Sequence, residues 1–134
     1  MSKNTKIQWC HSSVNLMMGC DGCELWNKNT RACYAGAQTE GYAGKKGWPK
    51  SFDKPEIFLD RLEPSLQWGA PTDKERDEKP WIPRDYPRVI FLNDMGDTFT
   101  ESLPLNWMAP VLERIKSSDH IWMILTKRPS RMLE

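Results

Sequence analysis

Cys20 and Cys23 stand two residues apart and Cys33 follows after nine more, in the stretch GCDGCELWNKNTRACYAG. Thiolates are ligands for soft metals, and a C-x2-C turn lets two sulfurs reach one ion or one cluster edge. Gly19 and Gly22 suit a loop that wraps a metal, because such a loop needs backbone angles and close approaches that a Cβ obstructs. Three thiolates are the number a [4Fe-4S] cluster needs when one iron stays open, and four close it. Adding Cys10 gives C-x9-C-x2-C-x9-C, a pattern that suits a tetrahedral zinc equally well, held by all four thiolates or by three of them and His11. The plain alternative is reduced thiols without a ligand. His11 taken alone reads as structural or solvent-facing.

Two further polar groups follow compact apolar runs. RVIFLND leads into Asn93, Asp94 and Asp97 of NDMGD, and HIWMILTKRP leads into Thr126, Lys127 and Arg128. Apolar runs of this length suit strands buried on both faces of a parallel sheet, whose carboxyl ends carry ligand sites. Asn, Gly and Asp after a strand are also ordinary turn residues, and a Lys-Arg pair before a proline is also an ordinary solvated strand end.

The elements that would position these groups are uneven in clarity. PLNWMAPVLERIKSS carries Leu105, Met108, Leu112 and Ile115 at helical spacing, with Pro110 marking a start or a kink. Ser130 is suited to cap a helix beginning in SRMLE. Strand, helix, strand and a further helix start form a βαβ unit. The fold expected is therefore α/β, a partial (β/α) barrel-like parallel sheet with a cysteine-rich N-terminal loop. Residues 1–19 offer one short strand. Residues 35–43 suit a short helix ended by Gly44 and Gly47.

Between these lies an irregular excursion, residues 49–87, holding seven of the ten prolines. PEIFLDRLEPSLQW suits a short helix, and the charge run DKERDEK reads as a solvated loop. A chain of 134 residues is expected to form a single domain, here the N-terminal part of a larger (β/α) domain. Alone it would leave sheet edges exposed, so a truncated, inactive remnant needing its other half in trans is a third alternative.

Composition narrows the function classes. Nineteen basic and eighteen acidic residues leave a formal charge of +1, so no global field selects nucleic acid or a membrane surface. Without an apolar run of membrane-spanning length or a signal-like N-terminus, a cytoplasmic chain is expected, and that setting disfavours disulfides. The seven tryptophans read chiefly as core and loop anchors, with base stacking the minority alternative.

TKIQW, GC with CYAG, GWPKSFDKPEIFLDRLEPSLQW, RVIFLNDMGDTF and MILTKRPSRM run in order along nearly the whole chain, and together they resemble the phage protein family named after gene products 37 and 68. Its members are similar to radical S-adenosylmethionine (radical SAM) proteins. The resemblance implies a phage-encoded protein in a bacterial host. In radical SAM enzymes three cysteines after the first strand hold a [4Fe-4S] cluster, which binds S-adenosylmethionine and cleaves it to a 5′-deoxyadenosyl radical. It implies Cys20, Cys23 and Cys33 as cluster ligands, Tyr34 near the adenine, and Asn93, Asp94 and Asp97 at the cofactor's amino group or ribose. Thr126, Lys127 and Arg128 would then bind substrate, for which nucleic acid or a nucleotide is the expectation, and an electron donor would be a partner. The radical SAM spacing is usually C-x3-C-x2-C, whereas here ELWNKNTRA separates the last two cysteines.

Overall fold

The computed structural model describes residues 1–134. Ser12–Val14 form β1 and Met17–Met18 form β2. The cysteine loop follows and leads directly into α1, Tyr34–Tyr42. Gly44 and Gly47 lie just beyond it at φ +73° and +81°, a left-handed backbone that glycine takes without strain. The proline-rich stretch supplies short pieces: β3 (Glu56–Ile57), a 3-10 turn (Leu59–Arg61) running into α2 (Leu62–Leu66), and α3 (Asp73–Asp77). Then come β4 (Val89–Leu92), a second 3-10 turn (Leu105–Trp107), α4 (Met108–Lys116), β5 (Ile121–Ile124) and α5 (Pro129–Met132).

The architecture is mixed α/β, built on a three-stranded parallel sheet in the order β1-β4-β5, with no closed barrel; β2 and β3 pair antiparallel beside it. Alternation along the strands sorts the side chains by face. Val14, Ile90 and Leu92 turn to one face and pack against Met108, Val111 and Ile115 of α4, with Trp122 and Ile124 against the same cluster. Val89 and Phe91 turn to the other face and pack with Cys10.

The helix differs from its expected stripe, because Val111 takes the buried position and Leu112 points outward, 38% exposed. Pro110 does not kink it. As the third helical residue it lacks an N–H that would have had no intrahelical acceptor. The second strand is expected to be buried on both faces, but β5 alternates instead, with Ile121 and Met123 exposed. It is an edge strand, paired only with β4. Nor does Ser130 cap α5: Pro129 is its first residue and Arg128 its N-cap.

The charge run departs most from expectation, forming α3 rather than a solvated loop. Thr72 accepts from the Glu75 backbone N–H at 3.2 Å, and Glu75 Oε2 accepts from the Thr72 N–H at 2.8 Å, a complete capping box. The box turns Glu75 toward Arg88 at the amino end of β4. Arg88, only 1% exposed, donates to both Glu75 oxygens at 2.8 and 3.1 Å, to Ser12 Oγ at 3.0 Å and to Gly69 O at 2.8 Å. Lys79, also buried, donates to the carbonyls of Thr5, Ile7 and Cys10. The segment read as solvent-facing thus anchors the base of the sheet. No helix of the chain is long and apolar enough to cross a membrane.

Candidate metal and cofactor site

At the carboxyl ends of the parallel strands lies a cavity of about 210 Å³. Cys20, Cys23 and Cys33 line it together with Tyr34 and Asp94. Asp97, Thr126, Lys127 and Arg128 close its β5 side. All the cysteines are free of disulfides, Cys20 being buried and Cys23 and Cys33 partly exposed. The thiols share one cavity without converging on a single ion-sized point.

The separation of Cys23 from Cys33 is spanned by a folded turn. Cys23 and Trp26 exchange backbone hydrogen bonds at 3.0 Å in each direction, and the Ala32 and Cys33 N–H groups donate to Leu25 O at 2.9 and 3.0 Å. Trp26, 2% exposed, plugs the turn against Cys20, Ala35 and Phe52. Gly36 leaves room for its indole: a Cβ there would stand 2.5 Å from the ring.

The loop's other end is docked on β4 by a second close approach. Gly19 N donates to Met95 O at 3.0 Å, and a Cβ on Gly96 would stand 2.5 Å from Gly19 O. Asp21 fixes the same segment, since its Oδ2 accepts from Thr100 Oγ1 at 2.7 Å and from Ser102 N at 2.9 Å. Those hydrogen bonds outweigh partial burial, which opposes them, and hold the Asp21 carboxyl below its ordinary range. Gly96→Ala is expected to push Gly19 and Cys20 off the strand end, costing about 1–3 kcal/mol by overpacking. The check is urea denaturation together with the cysteines' reactivity toward a thiol reagent, which should rise.

Asp97 is fully engaged by the protein. Oδ1 accepts from Phe99 N at 3.0 Å and Thr126 Oγ1 at 2.7 Å, and Oδ2 accepts from Lys127 N at 2.9 Å and Arg128 Nη1 at 3.0 Å. A carboxylate has about four acceptor positions, and here they are used up. Asp97 therefore joins the end of β4 to the end of β5 rather than offering itself to a cofactor. Lys127 and Arg128 are likewise turned onto the cysteine loop: Lys127 pairs with Glu24, and Arg128 donates to Gly22 O at 2.9 Å and lies 3.6 Å from Cys20 Sγ. Burial lowers the Arg128 pKa, but Cys20 and Asp97 beside it carry it above its ordinary value.

Asn93 also has a structural post. At φ 63° and buried, it accepts at Oδ1 from the Leu16 and Met17 N–H groups at 2.8 and 3.1 Å, and it donates to Thr98 Oγ1 at 3.0 Å. It does not line the cavity. Asp94 does, with Asn15 Nδ2 engaging Oδ1 at 2.8 Å. Burial raises the Asp94 carboxyl, partly offset by that hydrogen bond. The Tyr34 hydroxyl donates to Asp94 O at 2.5 Å while its ring stays exposed. Drawing the hydroxyl out of water beside the Asp94 charge raises its pKa. Tyr34 and Asp94 also border a second cavity of about 390 Å³, lined by Asn15, Trp48 and Arg61 among others.

Cys10 is not with the other three. It is fully buried against Val89 and Phe91, and burial pushes its thiol up to about 11. The fourth-ligand assignment of Cys10 is therefore not supported by its position. His11 cannot replace it, because its Nδ1 accepts from Val89 N at 3.0 Å deep in the same base. Sequence reasoning missed Asn15, Asp21 and Glu24, which hold the site together, because their partners lie about 80 to 100 residues away.

Residues 4–134 match a family model described as Protein of unknown function (DUF5131). No curated protein and no solved structure matches the chain.

Proposed function

The chain belongs to the DUF5131 family, its chemistry has to be read from the site itself, and we propose that it is a radical-SAM-like iron-sulfur protein in which Cys20, Cys23 and Cys33 hold a [4Fe-4S] cluster. The observation that carries the reading is the meeting of three free cysteines in one cavity at the carboxyl ends of a parallel sheet. The donor set suits the group: three soft thiol ligands leave one iron open, and Leu25 N lies 3.4 Å from Cys23 Sγ, giving that sulfur an N–H donor. When bound, the cluster supplies the electron that splits S-adenosylmethionine into methionine and a 5′-deoxyadenosyl radical.

The chain's own part is to bind, orient and exclude water. Phe52, Ala35 and Phe91 give the cavity apolar walls. Asp94 offers the carboxylate oxygen that Asn15 leaves free to a cationic amino group, and Tyr34 presents an exposed ring for a flat base. Asp97, Thr126, Lys127 and Arg128 hold the cysteine loop in register with β5, a different duty from the substrate binding expected of the last three. The partial (β/α) barrel belongs to the same reading, with the open edge of β5 as the place where a barrel would continue.

Anaerobically reconstituted protein with dithionite is expected to release 5′-deoxyadenosine and methionine from S-adenosylmethionine. Iron-loaded protein that releases neither contradicts the reading. Asp94→Asn is expected to weaken S-adenosylmethionine binding about tenfold or more, consistent with loss of a hydrogen-bonded charge, with the melting temperature kept. Equilibrium dialysis checks it, and equal affinity would exclude Asp94 from the amino-group site.

A further inference from the structure

Arg128 is the cation of the site that reaches a cysteine sulfur, and its surroundings explain how it is held there. Nη1 lies 3.6 Å from Cys20 Sγ and 3.0 Å from Asp97 Oδ2, while Nη2 lies 2.9 Å from Gly22 O. The pair is shielded from water, with side-chain exposures of 16% for Arg128 and 9% for Asp97. Asp97 is itself immobilised by Phe99, Thr126 and the Lys127 backbone. The guanidinium can therefore neither swing away nor be screened as an exposed charge would be.

We propose that Arg128, oriented by Asp97, is a positioning residue that raises the reduction potential of the metal centre by donating to the Cys20 sulfur. This rests on the cluster reading of the site. Reduction adds one electron, and so one negative charge, to a centre whose ligands are already anionic. A donor fixed at one of those sulfurs stabilises the reduced form more than the oxidised form. The ion pair as a whole is neutral, so Cys20 meets the positive end of an oriented dipole, and the effect is correspondingly moderate. Lys127 supplies the contrast: it pairs with Glu24, but the two side chains are 47% and 71% exposed, and solvent screens them.

The test is a dithionite redox titration of the anaerobically reconstituted full chain, following the reduced cluster by electron paramagnetic resonance. R128Q is expected to shift the one-electron equilibrium about tenfold toward the oxidised form, roughly 59 mV downward, at unchanged iron content. R128K, which keeps a charge for Asp97 but loses the fork that spans Cys20 and Gly22, is expected to move in the same direction by less. K127Q is expected to titrate with the wild type. An R128Q couple coincident with wild type at equal iron content overturns the proposal and leaves the cluster reading standing. A wild type that binds no iron takes down both. Where R128Q fails to load iron, R128K decides: a lowered potential supports the proposal and an unchanged one overturns it.

Discussion

Replacing Arg88 with alanine is expected to destabilise the fold by about 3–5 kcal/mol, the usual cost of removing one partner from a buried ion pair. That is a large share of the roughly 5–15 kcal/mol that holds an ordinary domain together. Arg88 is 1% exposed, and its loss would strand the Glu75 carboxylate, the Ser12 hydroxyl and the Gly69 carbonyl beneath the sheet. Urea denaturation of R88A against wild type measures it. Arg114, whose pair with Glu63 is more than half exposed on both sides, is the control and should give no measurable change on replacement.

The same pair carries a pH signature. Hydrogen bonds from Arg88 hold the Glu75 carboxyl at about 2, down from an ordinary 4.5. Because the folded value is depressed, the stabilisation is fully present above about pH 4.5 and is lost as the pH falls toward about 2. A shift of that size corresponds to about 3 kcal/mol. Glu75→Gln should flatten this part of the acid stability profile. A profile as steep as wild type would mean that other carboxyls govern acid unfolding.

The second large effect concerns the thiols. Serine at Cys20, Cys23 or Cys33 is expected to cut bound iron at least tenfold in each single variant, because a cluster held by three ligands has no spare one. Cys10→Ser should keep its iron and lose stability instead, since it places a hydroxyl among Val89 and Phe91 without a soft ligand's role to lose. Equal iron loss in all four variants would place Cys10 in the metal site and contradict its separation from the cavity.

The sheet was legible where apolar runs were compact. Val89–Leu92 reads directly as a buried strand because all four residues are buried. Ile121–Ile124 reads the same way in sequence, but its burial depends on a neighbour strand that the sheet lacks on that side, and composition carries no record of sheet order. The α3 segment was hidden by its charges, although Thr72 and Glu75 stand at capping-box spacing, a local signal that should outweigh a charge run. At the site, residue types and positions after strands indicated Cys20, Cys23, Cys33 and Asp94 as cavity residues. They could not separate binding from positioning. Asp97 and Asn93 differ from Asp94 only in having their acceptors filled by Arg128, Thr126, Leu16 and Met17, and such partners become visible only in three dimensions.

The central claim is that three cysteines in one cavity hold a cluster. Iron, sulfide and zinc content of the anaerobically reconstituted chain, taken with its visible spectrum, tests it most directly. The account predicts about four irons and four sulfides per chain with thiolate-to-iron charge-transfer absorbance. One zinc per chain with no iron, or no metal at all, would contradict it.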